Sequence, residues 1–245
     1  MEFGINVNTG DNFEKFLKVV HDVGITRVKT TIDLNDINND HDFFAKIIKQ
    51  LKKKKVKSYI TLFKATPDLF NDWDVKLAVV KLALDVMSKT QIAGVGLVED
   101  IHTILRRGTS RRGIPKDLIV ARLNELSAVI KERGHKVVFN MRADDIQGGL
   151  WSEVDFDIYD IDMFLSPNAM NTIDKLEVDR PMWFGKAGKF GGYINPTIQR
   201  NVVRKIKELG EGVADVAFLW SKEGETKFSW SEKQQFKIAA SEVVQ

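Results

Sequence analysis

The sequence predicts an α/β chain closed into a (β/α)8 barrel. Three observations carry that expectation. Eight short apolar runs recur along the 245 residues, and most are followed by an amphipathic, helix-like run. Eight parallel strands in a chain of this length fit a closed barrel, as one domain over residues 1–245. No Gly-rich phosphate loop follows the first strand, which disfavours the alternative, a doubly wound open sheet.

The elements follow in order. Residues 3–8 form strand one. Residues 11–23 form a helix with Asp11 as its cap, ended by Gly24. Residues 27–32 are strand two. In helix 40–54, Phe43, Phe44, Ile47, Ile48 and Leu51 repeat at helical spacing. Residues 58–63 are strand three, and 74–89 a helix with one strongly apolar face. The run IAGVGLVED, from Ile92, is strand four and ends on Glu99 and Asp100. Helix 115–133 has Pro115 in its first turn and Gly134 beyond its end. Strand five is 136–141, strand six 156–163 and strand seven 182–185. Helix 197–209, strand eight at 213–219 and a closing helix over 231–244 complete the chain. The fifth and sixth helices are short: 148–153 and 168–176 leave room for a turn or two each.

Composition limits the function. The chain has 37 basic and 34 acidic residues and a net charge of +3, so a nucleic-acid partner is not expected. It has no cysteine, which excludes disulfides, thiolate metal sites and a cysteine nucleophile. No apolar run has transmembrane length, and no signal peptide follows Met1. A cytoplasmic protein is expected, or a secreted one if the chain is a processed mature form.

Side chains in a strand alternate between faces. Polar sets share one face: Asn6 and Asn8; Lys29, Thr31 and Asp33; Asn140 and Arg142; Asp160 and Asp162. On strand four, Val95, Leu97 and Glu99 share a face. Apolar sets such as Val137, Phe139 and Met141 take the other side and should meet the helices. The polar sets then line the barrel, where a buried Lys29 needs an acid such as Asp160. A polar interior suggests support for a site at the strand C-terminal ends, where barrel chemistry sits; an ion-pair network without catalysis is the plainer reading. Carboxylates sharing one cavity can divide into a protonated acid and an ionised partner, as glycosidic cleavage requires. Trp220, Trp183, Trp151 and Tyr193 could stack on sugar faces, although core packing is the commoner use of each Trp.

On these residues the chain resembles the clan A glycoside hydrolases. GLVED puts Glu99 in the place of their acid/base at the end of strand four, and VAFLWSKEG puts Trp220 and Ser221 at the strand-eight position. GITRVKTTID is similar to their second strand. The resemblance implies a (β/α)8 barrel acting on a saccharide, with Glu99 as general acid/base and Trp220 as sugar platform. Asp162 or Asp160 is the expected second carboxylate, and Asn140, Arg142, Lys186 and Asp33 are expected to bind the substrate. Two positions depart from the family pattern. Val98 replaces an Asn, and strand seven reads PMWFGKAG, with Lys186 or Gly185 where the nucleophile Glu would stand. YDID, Tyr159 to Asp162, is similar to the YD pair of chitinase-like barrels.

Alternatives remain open on the residues alone. The chain could be a non-catalytic saccharide-binding or assembly protein on a degenerate glycosidase scaffold. Lys186 or Lys64 could form a Schiff base, as in class I aldolases. Asp160, Asp162, Glu99 and His102 could offer metal ligands, although no metal or other cofactor is expected. The loop LRRGTSRRG, with Arg106, Arg107, Arg111 and Arg112, could clamp an anionic group. Together with Lys64, Arg142 and Lys186 it suggests an anionic saccharide.

Overall fold

The computed structural model describes residues 1–8, 13–22, 24–35, 41–87, 91–104, 114–164, 175–188 and 196–219. Eight parallel strands close into a barrel in the order β1-β2-β3-β4-β5-β6-β7-β8. They are β1 (Glu2–Asn8), β2 (Arg27–Thr31), β3 (Lys57–Thr61), β4 (Ile92–Gly96), β5 (Val137–Met141), β6 (Ile158–Phe164), β7 (Met182–Gly188) and β8 (Val216–Leu219). The helices are α1 (Phe13–Asp22), α2 (His41–Lys53), α3 (Trp73–Val86), α4 (Lys116–Glu132), α5 (Ala143–Gln147) and α6 (Pro196–Gly210). The expected barrel is thus the observed one. Among the described residues no helix is long and apolar enough to cross a membrane.

The helix between β5 and β6 is short, as expected, but lies earlier than residues 148–153. It begins directly after Arg142, whose backbone N–H donates to the Asp145 carboxylate at 3.3 Å. Residues 148–153 continue as turns. The expected sixth helix, the closing helix and the Asp11 cap fall wholly or mainly outside the described residues.

The main apolar core lies between sheet and helices. Val28, Ile32, Val137, Phe139 and Met141 join Leu17, Phe44, Leu51 and Leu123 there, all nearly or fully buried. The lumen has a different composition. At the N-terminal end of the strands, Tyr59, Val138, Ile158, Trp183, Val216 and Phe218 form an aromatic and aliphatic plug. Toward the C-terminal end, Lys29, Asn140, Asp160 and Glu99 are buried instead.

Inward-facing glycines make room for these large groups. A Cβ on Gly94 would lie 2.5 Å from Val138, and one on Gly96 would lie 2.8 Å from the Tyr59 hydroxyl. A Cβ on Gly185 would overlap Asp160, 1.5 Å from its Oδ1. Gly94 and Gly96 facing inward corrects the expected parity of β4. Val95 and Leu97 pack outward into the main core and do not share the face of Glu99. The pairing with β3 shifts register between Ser58 and Tyr59, and the regular strand stops at Gly96. Glu99 then reaches the lumen from irregular backbone, held by its N–H donating to the Phe63 carbonyl at 2.8 Å.

Candidate active site

The site rests on a buried pair at its floor. Lys29, on β2, places its ammonium 2.7 Å from Asp160 Oδ2 on β6, and both side chains are fully buried. The Tyr59 hydroxyl donates to the same oxygen at 2.7 Å, and Asn140 Nδ2 donates to it at 3.3 Å. An unpaired charge in that position would be costly, and the lysine and the two donors offset the burial of the Asp160 carboxylate. Burial, then the Asp160 charge, pushes the Tyr59 hydroxyl well above its usual range, so it remains a donor.

Above this floor Asn140 links two acids. Its Nδ2 donates to Asp162 Oδ1 at 3.0 Å, and its Oδ1 accepts the Asp100 backbone N–H at 2.9 Å. Asp100 has a left-handed backbone, with φ of 60°, a conformation Asp tolerates better than most residues. The turn carries its carboxylate to Lys186, 3.1 Å away.

Lys186 is the hub of the upper layer. Its ammonium lies 3.2 Å from Glu99 Oε1, 3.1 Å from Asp100 Oδ2 and 3.8 Å from Asp162 Oδ2. It reaches them through a β-bulge. Opposite β6, Trp183 pairs with Asp160 and Phe184 with Ile161, but Lys186, not Gly185, pairs with Asp162. Gly185 is the extra residue. Phe184 and Ala187 therefore pack outward while Lys186 turns inward. Strand seven was expected to end at Gly185; it continues to Gly188, and Lys186 lies within it.

Glu99 is nearly buried and held from three sides. Thr31 Oγ1 donates to Oε2 at 2.8 Å, Lys186 is at 3.2 Å and Lys29 at 3.9 Å. Burial alone would raise its pKa, but the Lys186 and Lys29 ammoniums and the Thr31 hydroxyl outweigh it and hold the carboxyl below its ordinary value. Asp162 goes the other way. Burial, reinforced by the Asp160 and Asp100 charges, outweighs the two lysines and pushes it up to about 7. The Lys186 ammonium loses some stability to burial, but Asp162, Glu99 and Asp100 raise its pKa above the ordinary lysine value.

The arrangement offers two carboxyls with opposite tendencies on either side of one ammonium. Oxygens of Glu99 and Asp162 lie 3.2 and 3.8 Å from the same Nζ. They are therefore no more than about 7 Å apart, a span compatible with paired catalytic carboxyls.

Of the residues expected at the site, Glu99, Asp160, Asp162, Asn140 and Lys186 meet in this one network. Arg142 instead stands half-buried at the start of α5. Asp33 accepts the backbone N–H groups of Asn35 and Lys64, at 3.2 and 3.3 Å, and so ties together the loops after β2 and β3. Trp220, Ser221, Tyr193 and the loop from Arg106 to Arg112 lie outside the described residues.

Several expected roles need correction. Trp151 is buried in the core, edge-on to Phe139, and Trp183 plugs the lumen at its N-terminal end. There it borders a cavity of about 670 Å³ with Glu2, Arg27 and Asp215, at the opposite end of the barrel from the carboxylates. Neither indole can stack on a sugar beside Glu99. Tyr159 points outward, packing edge-on to Phe156 and donating to Asp179 at 2.9 Å, so the YD pair divides between two faces. Lys186 is held as an ammonium by three acids, the reverse of what a Schiff-base nucleophile needs. Among the described residues no cluster of three or more His, Asp or Glu side chains is placed to hold a metal; Lys29 and Lys186 stand between the acids.

Tyr59 was not singled out from sequence, and Thr31 and Asp100 were named on strands two and four without a role. Parity on β3 could have found Tyr59, which shares a face with Thr61. Nothing in the sequence marks the bulge that turns Lys186 inward.

No protein-family model matches the chain, and no curated protein matches it by sequence. Solved structures do match it in fold. An endo-1,4-β-mannanase from Eisenia fetida superimposes with a TM-score of 0.65 at 14% identity, over 94% of this chain and 83% of that one. A β-1,4-mannanase from the sea hare Aplysia kurodai gives 0.61 at 13% identity, over 97% and 92%. A family 1 β-glucosidase from Thermotoga maritima gives 0.64 at 9% identity, over 99% and 97%. These are (β/α)8 glycoside hydrolases of clan A. The chain has their fold. At such identities the likeness extends to the architecture and not to individual residues.

Proposed function

We propose that the barrel is a glycosidase-like enzyme acting on a saccharide at the C-terminal ends of its strands, with Asp162 as the proton donor and Glu99 as the ionised partner. The observation that carries this reading is the pair itself: two buried carboxyls within about 7 Å whose surroundings push their pKa values apart. It reverses the expected role of Glu99. A carboxyl clamped by two ammoniums is a poor acid, whereas one that holds its proton to about pH 7 is a good one. With Asp162 protonated, the carboxylates of Glu99, Asp100 and Asp160 exceed the ammoniums of Lys29 and Lys186 by one charge. A net negative floor favours the oxocarbenium-like transition state of glycoside cleavage. Lys186 is committed to these acids and adds nothing to a cationic face. An anionic saccharide thus has no support from this floor, and we take the substrate to be uncharged.

One observation favours a second reading, a saccharide-binding protein without catalysis. The Lys186 ammonium stands between the two carboxyls, and strand β7 carries no acid.

A panel of gluco- and manno-configured glycosides, assayed with wild type, Glu99→Gln and Asp162→Asn, tests the first reading. Each substitution should lower turnover by about 10²–10⁴-fold. Turnover unchanged in either variant removes that residue from the mechanism. Saturable binding of the same saccharides by calorimetry, with no turnover by wild type, establishes the second reading in its place.

A further inference from the structure

We infer that Lys186 is the positioning residue of this site, the group that keeps Glu99 the anion of the pair. The inference rests on the pairing of Glu99 with Asp162 proposed above, but not on what that pair does to a saccharide.

The geometry is unusual for a strand side chain. Regular alternation after Trp183 would put Gly185 inward and Lys186 outward, against the helices. The bulge at Gly185 adds one residue to β7 against β6 and turns Lys186 into the lumen. Gly185 suits the bulge for a second reason: its Cα lies against Asp160, where any Cβ would collide with the carboxylate and with Lys29 Nζ, 2.6 Å away. The same residue therefore admits the floor pair and aims the lysine above it.

The ammonium then meets three acids from two directions: Glu99 and Asp100 from the segment after β4, and Asp162 from β6. Glu99 lies closer to it, at 3.2 Å against 3.8 Å for Asp162, and Glu99 also has Lys29 at 3.9 Å and the Thr31 hydroxyl at 2.8 Å. The charged groups around Asp162 are Lys186, Lys29, Asp160 and Asp100, and two of these are acids. Both acids thus face the same two cations and one donor each, Thr31 for Glu99 and Asn140 for Asp162, while the neighbouring Asp160 and Asp100 carboxylates oppose an anion at Asp162. Without the Lys186 charge, Glu99 would be a buried carboxyl supported by the Thr31 hydroxyl and a more distant Lys29. Its proton affinity would rise.

The experiment is a titration of the side-chain carboxyls by carbon-13 NMR on the full chain, in wild type, Lys186→Met, Lys186→Gln and Lys186→Arg. Glu99→Gln and Asp162→Asn assign the two resonances. In wild type the Glu99 midpoint should fall below the ordinary glutamate range, with the Asp162 midpoint well above that of aspartate. Both neutral variants should raise the Glu99 midpoint by a unit or more, and Arg should restore it. A Glu99 midpoint that stays put in a folded neutral variant overturns the inference. If neither neutral variant folds, the nitrogen-15 shift of wild-type Lys186 Nζ decides. It should move with the Asp162 midpoint, and a shift indifferent to pH between about 4 and 8 also overturns the inference. Absence of turnover with the expected midpoints would end the hydrolase reading alone and leave the role of Lys186 standing.

Discussion

Replacing Gly185 with alanine should disrupt the barrel floor. The added Cβ would lie 1.5 Å from Asp160 Oδ1, 2.4 Å from its Cγ and 2.6 Å from Lys29 Nζ. None of these atoms is the loose end of an exposed chain. Asp160 and Lys29 are fully buried, and Asp160 is also held by Tyr59 and Asn140. Relief therefore requires either breaking the 2.7 Å ion pair or moving strand β7. Uncoupling a buried pair costs about 3–5 kcal/mol, and the overpacking itself about 1–3 kcal/mol if the pair holds. Taking about 3–5 kcal/mol, the melting temperature of a chain this size should fall by on the order of 10 °C. Urea unfolding and calorimetry measure the loss. Gly148→Ala is the control, since Gly148 has a φ of −78° and its Cβ would come no closer than 3.4 Å to a neighbour. That change should be neutral or slightly stabilising. A Gly185→Ala variant within about 1 kcal/mol of wild type would refute the reasoning, because it would mean that the floor pair can rearrange at little cost.

Two further perturbations test the electrostatics. Lys29→Met leaves Asp160 without its cation and should cost about 3–5 kcal/mol, whereas Lys29→Met with Asp160→Asn should recover much of that; equal losses in the single and double variants would argue against a coupled pair. Asp162 ionises near 3.8 in an unfolded chain and at about 7 in the fold, so between those values the native state binds more protons than the unfolded state. Its contribution to stability therefore falls as pH rises from about 4 to about 7 and then levels off. Glu99, with a lowered native pKa, has the opposite sign and adds stability that is lost only in acid. Urea titrations at several pH values should show the decline in wild type and not in Asp162→Asn; a decline of the same size in both removes Asp162 as its source.

The fold was legible because its signals are local and repeated. Apolar runs at strand length, separated by helix-length runs, led to the barrel, and the observed strands begin or end within a few residues of the expected ones. Parity placed Lys29 with Thr31 and Asp160 with Asp162 on the inner face, and the need to neutralise a buried lysine anticipated the Lys29–Asp160 pair. Parity failed on β4 because the regular strand stops at Gly96 and Glu99 follows on irregular backbone. The end of β7 was misplaced because a bulge at Gly185 changes the face of everything that follows. Such irregularities arise from how neighbouring strands fit, and a single strand read alone does not contain that information. The tryptophans failed differently. An indole suits a sugar platform and a core equally well, and only packing places Trp151 against Phe139 and Trp183 between Tyr59 and Phe218.

The distribution of polarity along the lumen bears on whether the network is only structural. Buried ion pairs rarely stabilise a fold more than well-packed apolar side chains of the same size, so a lumen filled with branched aliphatics would hold this barrel at least as well. The chain uses apolar packing at one end, where Trp183, Phe218, Val138 and Val216 close the N-terminal half. Among the described residues the buried lysines and acids lie above that plug, from Lys29 and Asp160 at mid-strand up to Glu99 and Lys186 at the strand ends. A network serving stability alone has no reason to favour one end. A position toward the C-terminal end, where the loops of a barrel build their sites, is what a chemical role requires. Asp100 points the same way, since its left-handed backbone carries a third carboxylate to an ammonium already paired with Glu99. Stability does not call for that third acid. A site that must keep Lys186 charged and fixed while Asp162 holds a proton does.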